Sequence, residues 1–428
     1  MTAQFSSLDQ WLTYQGGVHG SAIDLSLERV REVAARLDLL QPTCPVALVG
    51  GTNGKGSTAT ALAALLRACG HRAGLFTSPH LVRYNERVQV DGAPAADASL
   101  LAAFERIEAA RGAVTLTFFE YNTLAALQVF RDAEVGVMVL EVGLGGRFDA
   151  TNIIDADVAV LCSVGLDHCD WLGATLEQIG AEKAGIFRRG QKVVLGSADL
   201  PASVWRAADS LRCQLWTAQR EFSWRVHGAG FACEPWDYHG ALCTLSGLPA
   251  PALAGAIQYR NAASALTALQ LLALPGACDA ARVAQGLRAM ALPGRFQIVP
   301  GEVEWILDVA HNEAAARQLA TALASRGREG RTIAVAGILA DKDAAAIVRA
   351  LDPLIDHWVL AGIDTEPRGV TALALQSRLP PLRGTVELTA NVVEACERAR
   401  AFARSGDRVV VFGSFHMVGP ALAWLGLY

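Results

Sequence analysis

The sequence contains no CxxC pair and no zinc-type spacing among its nine cysteines, Cys44, Cys69, Cys162, Cys169, Cys213, Cys233, Cys243, Cys278 and Cys396. With an odd and scattered set of this kind, a reducing cytosol is the simplest expected setting. The first residues, Met-Thr-Ala-Gln-Phe, lack a basic n-region and an apolar h-region, so no signal peptide is expected. Positive charge is not in excess: 37 Lys and Arg face 42 Asp and Glu, a net of −5. That balance argues against a general nucleic-acid binder while leaving room for local basic pockets that hold phosphate. Uncharged stretches are interrupted by polar residues. The segment Asn261 to Cys278, with Ser264, Thr267, Gln270 and Pro275, reads as a buried alanine-rich helix rather than a membrane span.

What is present points to a multidomain α/β protein. A chain of 428 residues exceeds one ordinary core, and 52% hydrophobic against 18% charged residues fits a globular chain. Leu27, Val30, Val33, Ala34, Leu37 and Leu40 recur at helical spacing and predict an amphipathic first helix. Pro45 to Gly50 then predicts a strand, followed by a glycine-rich turn and a helix over Thr58 to Ala68 that stops at Gly70. Further buried strands are expected to end at Thr77, Glu141, Val164 and Gly196, and open parallel sheets bind ligands at such ends. From Gln214 to Ser246 the alternating, aromatic-rich sequence predicts a small antiparallel sheet, with Trp216, Trp224, Trp236 and Tyr238 in it. A helix follows from about Asn261, and Pro293-Gly294 marks a domain boundary. Strands over Trp305 to Val309, Thr332 to Gly337, Trp358 to Ala361 and Arg408 to Phe412 alternate with helical segments such as Glu313 to Arg326 and Val392 to Arg404. The expected organisation is a P-loop mononucleotide-binding domain over residues 1–293, a linker over 294–300, and a smaller Rossmann-like α/β domain over 301–428.

Gly51-Thr52-Asn53-Gly54-Lys55-Gly56-Ser57 occupies the strand-to-helix turn where a phosphate cradle belongs. Glycines let backbone N–H groups approach phosphate oxygens, and the following helix N-terminus adds partial positive charge. Lys55 would supply a charge to the β- and γ-phosphates and Ser57 a hydroxyl near Mg²⁺. Val49 stands where the strict pattern has glycine, so the loop is a variant. Glu141, at a strand end before Gly143-Leu144-Gly145-Gly146-Arg147, suits a hard cation and suits a structural salt bridge or cap equally well. His168, after Asp167, reads by itself as a satisfied or surface histidine, because Mg²⁺ prefers oxygen ligands. Lys183 reads by pattern alone as a solvated lysine on the helical segment Leu176 to Phe187. Asp308 and His311 end the first strand of the second domain and Arg295 lies in the linker; each of these also has a structural reading.

Taken in order, the segments resemble the folylpolyglutamate synthase/dihydrofolate synthase family of the Mur-ligase superfamily. They are GTNGKGS (51–57), TSPHLVRYNERV (77–88), TFFEYNT (117–123), LEVGLGGRFDATN (140–152), LDHCDWLG (166–173), EKAGIFR (182–188), PGRFQ (293–297), LDVAHN (307–312) and GSFH (413–416). The likeness runs nearly end to end, and departures such as Cys169 and Met417 fall outside the site positions. The resemblance implies that Gly54, Lys55, Gly56 and Ser57 bind ATP, joined by Asn261, Arg295 and Asp308. It implies Mg²⁺ ligation by Ser78, Glu141 and His168, with K⁺ as a candidate further ion. Ile23, Asp24 and Leu25, Thr117, Phe118, Phe119 and Glu120, and Phe148, Asp149 and Ala150 would hold the pterin. Lys183 matches the family's carboxylated lysine, which replaces the reading as a solvated lysine and adds it to the metal site. His311 and Ser414 are the nearest candidates for the glutamate site.

The activity implied is ligation of L-glutamate to dihydropteroate and then to reduced folates, by a cytoplasmic monomer with no nucleic-acid or membrane partner. ATP would convert the acceptor carboxylate to an acyl phosphate, which the glutamate amine attacks. Three other readings use parts of the same pattern: a polyglutamylase alone, a Mur ligase acting on a nucleotide-sugar peptide, and a P-loop switch with no carboxylate substrate. The TFFEYNT segment and the lack of an extra N-terminal nucleotide-sugar domain weigh against the second.

Overall fold

In the computed structural model, which describes residues 5–228, 234–240, 242–364 and 366–428, two mostly parallel sheets organise the chain. The first has eight strands in the order Ala93–Pro94, Val88–Val90, Ala73–Phe76, Val137–Glu141, Val46–Gly50, Val158–Leu161, Lys192–Leu195 and Gln214–Thr217. The first two of these run antiparallel at one edge; the remaining pairings are parallel. Because strand side chains alternate, the central strands feed two cores. Leu48, Phe76, Leu140 and Leu161 pack with Trp11, Phe104 and Phe130 on one face. Ala47, Val49, Val139 and Val160 pack on the other face with Leu62, Leu65, Leu266 and Leu269.

That second face is covered by the helices Lys55–Ala68 and Ile257–Leu271, the latter buried over nearly its whole length. Alanines at Ala262, Ala263, Ala265 and Ala268 are fully buried there and let the helix lie close to its neighbours. Beyond it, Ser223–Val226, Trp236–His239 and Thr244–Leu248 form a separate three-stranded antiparallel sheet. The strand Gln214–Thr217, expected in that small sheet, instead pairs in parallel with Lys192–Leu195 and closes the main one. Its half-exposed alternation is what an edge strand shows in either setting, so pattern alone did not choose the partner. Two cysteines also find each other: Cys243 and Cys278 form a disulfide with Cα atoms 6.0 Å apart, tying the small sheet to the turn beyond the long helix. Their separation of 35 residues gave no sign of the pairing.

The periodic segment from Leu27 to Leu40 is the second helix, Glu28–Arg36, and not the first. It is preceded by Leu8–Val18, whose Thr13, Gln15, Gly16 and Gly17 obscure the apolar stripe although Ser7 caps its N-terminus. The second sheet has the order Gln297–Val299, Glu304–Leu307, Arg408–Phe412, Thr332–Ala336, His357–Ala361 and Thr385–Thr389, parallel except for the first strand. Gln297–Val299, inside the segment read as a linker, is thus part of this sheet. Helices Glu313–Arg326 and Val392–Phe402 cover its faces with Leu319 and Leu323 on one and Ala395 and Ala399 on the other. No helix among the described residues is long and apolar enough to cross a membrane.

Leu266 is fully buried between the long helix and the main sheet. Leu266→Ala is expected to lower unfolding free energy by about 2–5 kcal/mol, read from a urea titration, because the small neighbours leave a cavity that cannot collapse.

Candidate active site

The register of the main sheet builds the site. Val49 lies opposite Glu141, and Gly50 lies opposite Leu161, so three parallel strands end level with one another. The glycine-rich loop therefore emerges between the Glu141 carboxylate and the segment that leads to His168. Gly54, at φ 91°, is the N-cap of the helix Lys55–Ala68, and a Cβ there would sit 2.9 Å from Asn261 Oδ1. Only glycine satisfies both the left-handed backbone and the close approach of Asn261. Lys55 Nζ donates to the Gly51 and Thr52 carbonyls at 3.1 and 3.3 Å. Lys183 Nζ donates to the same Gly51 carbonyl at 3.1 Å. Two lysine side chains thus meet on one oxygen of the glycine-rich loop.

Lys183 is 5% exposed, which corrects its reading as a solvated lysine. Burial, with Lys55 adding to it, pushes its amine down to about 7. Glu141 is also buried, and burial raises its carboxyl while Lys55, the Ser78 amide and Arg295 act in the other direction. One Glu141 oxygen accepts from the Ser78 amide at 3.1 Å, whereas the other has no donor among the described residues. His168 adopts a left-handed backbone, φ 52° and ψ 40°, at the N-cap of the short helix Cys169–Leu172. Burial lowers its imidazole to about 4 despite the neighbouring Asp167, so the ring is neutral at physiological pH. Among the described residues no three His, Cys, Asp or Glu side chains cluster as a metal site. The candidate set supplies two such groups, Glu141 and His168, with the Ser78 hydroxyl. A half-satisfied buried carboxylate beside a phosphate loop fits a hard divalent cation, and the oxygen-poor remainder of the set calls for a further anionic donor.

The three segments linked by resemblance to the pterin come together on the other side of the sheet end. Arg29 joins two of them, donating to Asp24 Oδ2 at 2.8 Å and to Glu120 Oε1 at 3.2 Å. His19 Nε2 adds a contact to Asp24 at 3.1 Å. Thr117 and Glu120 form a reciprocal capping box on the helix Phe118–Asp132, which ties the Glu120 carboxylate to the Thr117 amide at 2.7 Å. Phe119 packs against Phe76 with ring centres 5.9 Å apart and covers Gly143, where a side chain would collide with its ring. Asp149 is spent on the fold: it accepts from the Leu144 and Thr151 amides and the Thr151 hydroxyl. Phe148 is exposed, and Ala150 is buried. Ile23 and Leu25 flank Asp24 half-exposed.

From the second sheet, Asp308 holds the Phe296 and Ala310 amides, each at 2.8 Å, and so fixes the backbone after Arg295. Arg295 lies over the Phe415 ring at 5.3 Å, and burial pushes its guanidinium down while the Asp308 and Glu141 charges act in the other direction. His311 Nδ1 faces the Val309 carbonyl at 2.8 Å, and its Nε2 lies 3.6 Å from Asp167. The Ser414 hydroxyl is buried at the N-terminus of the helix Phe415–Trp424 with no hydrogen-bond partner among the described residues.

The contact between the sheets' ligand-binding ends uses residues to which the pattern assigned no role. Asn53 and Asn312 exchange side-chain hydrogen bonds at 3.1 Å. Asp167 accepts from Asn312 at 3.0 Å and from Lys342 at 2.6 Å. Burial alone would raise the Asp167 carboxyl, but His311, His168 and Lys342 outweigh it and hold the group well below the usual carboxylate range. Lys342 stands in the charged run Asp341-Lys342-Asp343, which looks like a solvated turn until the other domain covers it. Arg29 and His19 likewise carry no motif, since their partners lie in separate segments.

Residues 49–269 match the model of the Mur ligase middle domain, and residues 294–415 match that of the Mur ligase glutamate ligase domain. The chain is 44% identical to the dihydrofolate synthase/folylpolyglutamate synthase of Escherichia coli over 97% of its length and 95% of that protein. A solved structure of E. coli FolC in complex with DHPP and ADP superposes with a TM-score of 0.92 at 42% identity, covering 98% of both chains. A bifunctional folylpolyglutamate synthase/dihydrofolate synthase with Mn, AMPPNP and L-glutamate bound superposes with a TM-score of 0.89 at 42% identity, covering 99% of this chain and 98% of that one.

Asp167 and Lys342 are both nearly buried, so removing either strands the other. Asp167→Asn and Lys342→Met are each expected to destabilise the chain, with a coupling of about 1–3 kcal/mol in a double-mutant cycle read by chemical denaturation. Additive effects would mean that the pair does not join the two ends.

Proposed function

The chain belongs to the dihydrofolate synthase/folylpolyglutamate synthase family of Mur-type ligases, and we propose on that premise that it joins L-glutamate to dihydropteroate and extends reduced folates with further glutamates. The observation that carries the reading is the meeting of the phosphate loop, a half-satisfied buried carboxylate and the pterin-linked segments at one sheet end, faced by the second domain. A carboxylate resists an amine because the departing group would be oxide. ATP removes that obstacle: a carboxylate oxygen attacks the γ-phosphorus, the bond to the bridging oxygen breaks and ADP leaves. The glutamate amine then adds to the acyl carbon, loses a proton and expels phosphate.

The chain's own residues position and neutralise these charges. Lys55 and Lys183 sit on the Gly51 carbonyl, so Lys55 needs only to exchange a loop carbonyl for a phosphate oxygen. Gly54, Gly56 and Ser57 present amides at the helix N-terminus, with Asn261 beside them. Arg295 and Asp308 would bring the second domain to the nucleotide, and His311 and Ser414 are the candidates for the glutamate site. Mg²⁺ would be held by Ser78, Glu141 and His168 and would supply Lewis-acid polarisation of the phosphoryl group; K⁺ is a further ion in this reading. The domain contact through Asp167 and Asn53 excludes water that would hydrolyse an acyl phosphate. The same reading has the protein act as a cytoplasmic monomer, without nucleic acid or membrane.

Lys183 acts as a carbamate in this account. Its neutral amine adds to CO₂ and loses one proton, giving an anionic oxygen donor where the ligand set is short of one. An amine held at about 7 is substantially neutral at physiological pH, which that addition requires.

Bifunctionality is tested by glutamate incorporation with dihydropteroate and, separately, with a reduced monoglutamyl folate; both are expected to be acceptors. Turnover of the second alone would reduce the protein to a polyglutamylase. Lys183→Ala is expected to lower kcat by at least about 100-fold, with partial recovery in acetate or formate and an added mass of CO₂ on the wild-type protein. Full activity of the wild type in CO₂-depleted buffer would remove the carbamate.

A further inference from the structure

Among the described residues, Arg87 is a buried guanidinium with no carboxylate in ion-pair contact. It ends the short 3-10 helix Tyr84–Arg87 and is 8% exposed. Its Nε donates to His80 Nδ1 at 2.8 Å, and its Cζ lies 5.5 Å from the centre of the Phe118 ring and 5.9 Å from that of Tyr84. Among the described residues no carboxylate is within ion-pair distance, and neither terminal nitrogen makes a hydrogen bond to the protein. The nearest acidic groups are committed elsewhere. Glu86 accepts from the amides of Leu81, Val82 and Arg83 at 2.8, 2.9 and 2.5 Å, while Glu141 accepts from Ser78 and faces the phosphate loop. Arginine does not escape burial by losing its proton, so an unpaired one is costly to keep.

Its location names the missing anion. His80 follows Ser78 by two residues, on the loop whose amide holds Glu141. Phe118 begins the helix whose first turn carries Thr117 and Glu120, in the pterin-linked segment. The guanidinium therefore stands between the phosphoryl-transfer end and the pterin end, where an acceptor bound by its ring must present its carboxylate. Phosphate has its own cations in Lys55 and Arg295, both close enough for their charges to act on Glu141. A planar guanidinium with Nε already occupied keeps its two terminal nitrogens for a fork onto a carboxylate.

We propose that Arg87 binds the reacting carboxylate of the acceptor in both ligations, an assignment that rests on the folate-ligase reading. One carboxylate oxygen attacks the γ-phosphorus. The other stays on the guanidinium, becomes the carbonyl oxygen of the acyl phosphate, and regains negative charge when the glutamate amine adds. Arg87 thus orients the nucleophile first and stabilises the oxyanion afterwards, and the Phe118 and Tyr84 rings and the His80 bond keep the fork in place.

The test compares dihydropteroate with the same dihydropterin lacking the carboxylate, its anilinomethyl analogue, on the wild-type protein, R87Q and R87K. Wild type is expected to bind the acid more tightly, by at least about tenfold. R87Q should bind both ligands alike, and R87K should keep part of the preference, since it retains the charge without the fork. KM should rise at least about tenfold for both acceptors in R87Q, with KM for ATP unchanged. An R87Q protein that keeps the preference for the acid, or that weakens both pterins and ATP together, would overturn the assignment. R87K serves the same comparison should R87Q not fold. Wild-type protein that binds neither pterin would overturn the parent reading as well, a result that needs no variant to see.

Discussion

Three parallel strands that stop at the same height are the constraint on which the site depends. Their hydrogen-bond register puts Val49 beside Glu141 and Gly50 beside Leu161, and a slip of one residue in either ladder would turn each side chain to the opposite face. Register of that kind is held by what each face buries. Leu48 and Leu161 face one core, Val49 and Val160 the other, so a shifted strand would set its side chains in the wrong layer. The catalytic geometry is therefore anchored by aliphatic packing well below the residues that do chemistry.

Charge is the second organising feature. Lys55, Arg87 and Arg295 all act on a sheet end whose near carboxylates are few and mostly engaged with backbone amides. Glu141 holds Ser78, Asp308 holds Phe296 and Ala310, and Asp149 holds Leu144 and Thr151. Such a site suits anionic ligands. The carboxylates serve chiefly to shape loops, which keeps the cations free for substrate. Asp167 is the exception, since it draws Asn312 and Lys342 from the second domain onto the loop that carries His168.

Several residues show why the motifs were readable and their context was not. The phosphate loop stood out because strand, glycine turn and helix follow one another within a short stretch, and the structure places Gly54 and Lys55 as that order requires. Glu141 was visible as a strand end, although a cap and a ligand look alike in sequence. Lys183 looked solvated because a helix of mixed polarity does not reveal what packs over it. The strand Gln214–Thr217 was assigned to the wrong sheet, and the strands Gln297–Val299 and Thr385–Thr389 were not anticipated, because short, half-exposed edge strands carry little periodicity.

By itself the sequence determined the α/β class, the order of strand, phosphate loop and helix, the change of character near Gln214, the second α/β unit and, through ordered motifs, the family. These are local properties, written in apolar spacing and in glycine, proline and lysine at fixed offsets. Only the tertiary structure decided that Lys183 meets Lys55 on one carbonyl, that Arg29 bridges Asp24 to Glu120, that Lys342 reaches Asp167 across 175 residues and that Arg87 is buried with no ion pair among the described residues. Such contacts join segments whose separation along the chain has no period and no spacing rule. Whether a charge is solvated, paired or left waiting for a ligand depends on what the rest of the chain packs over it.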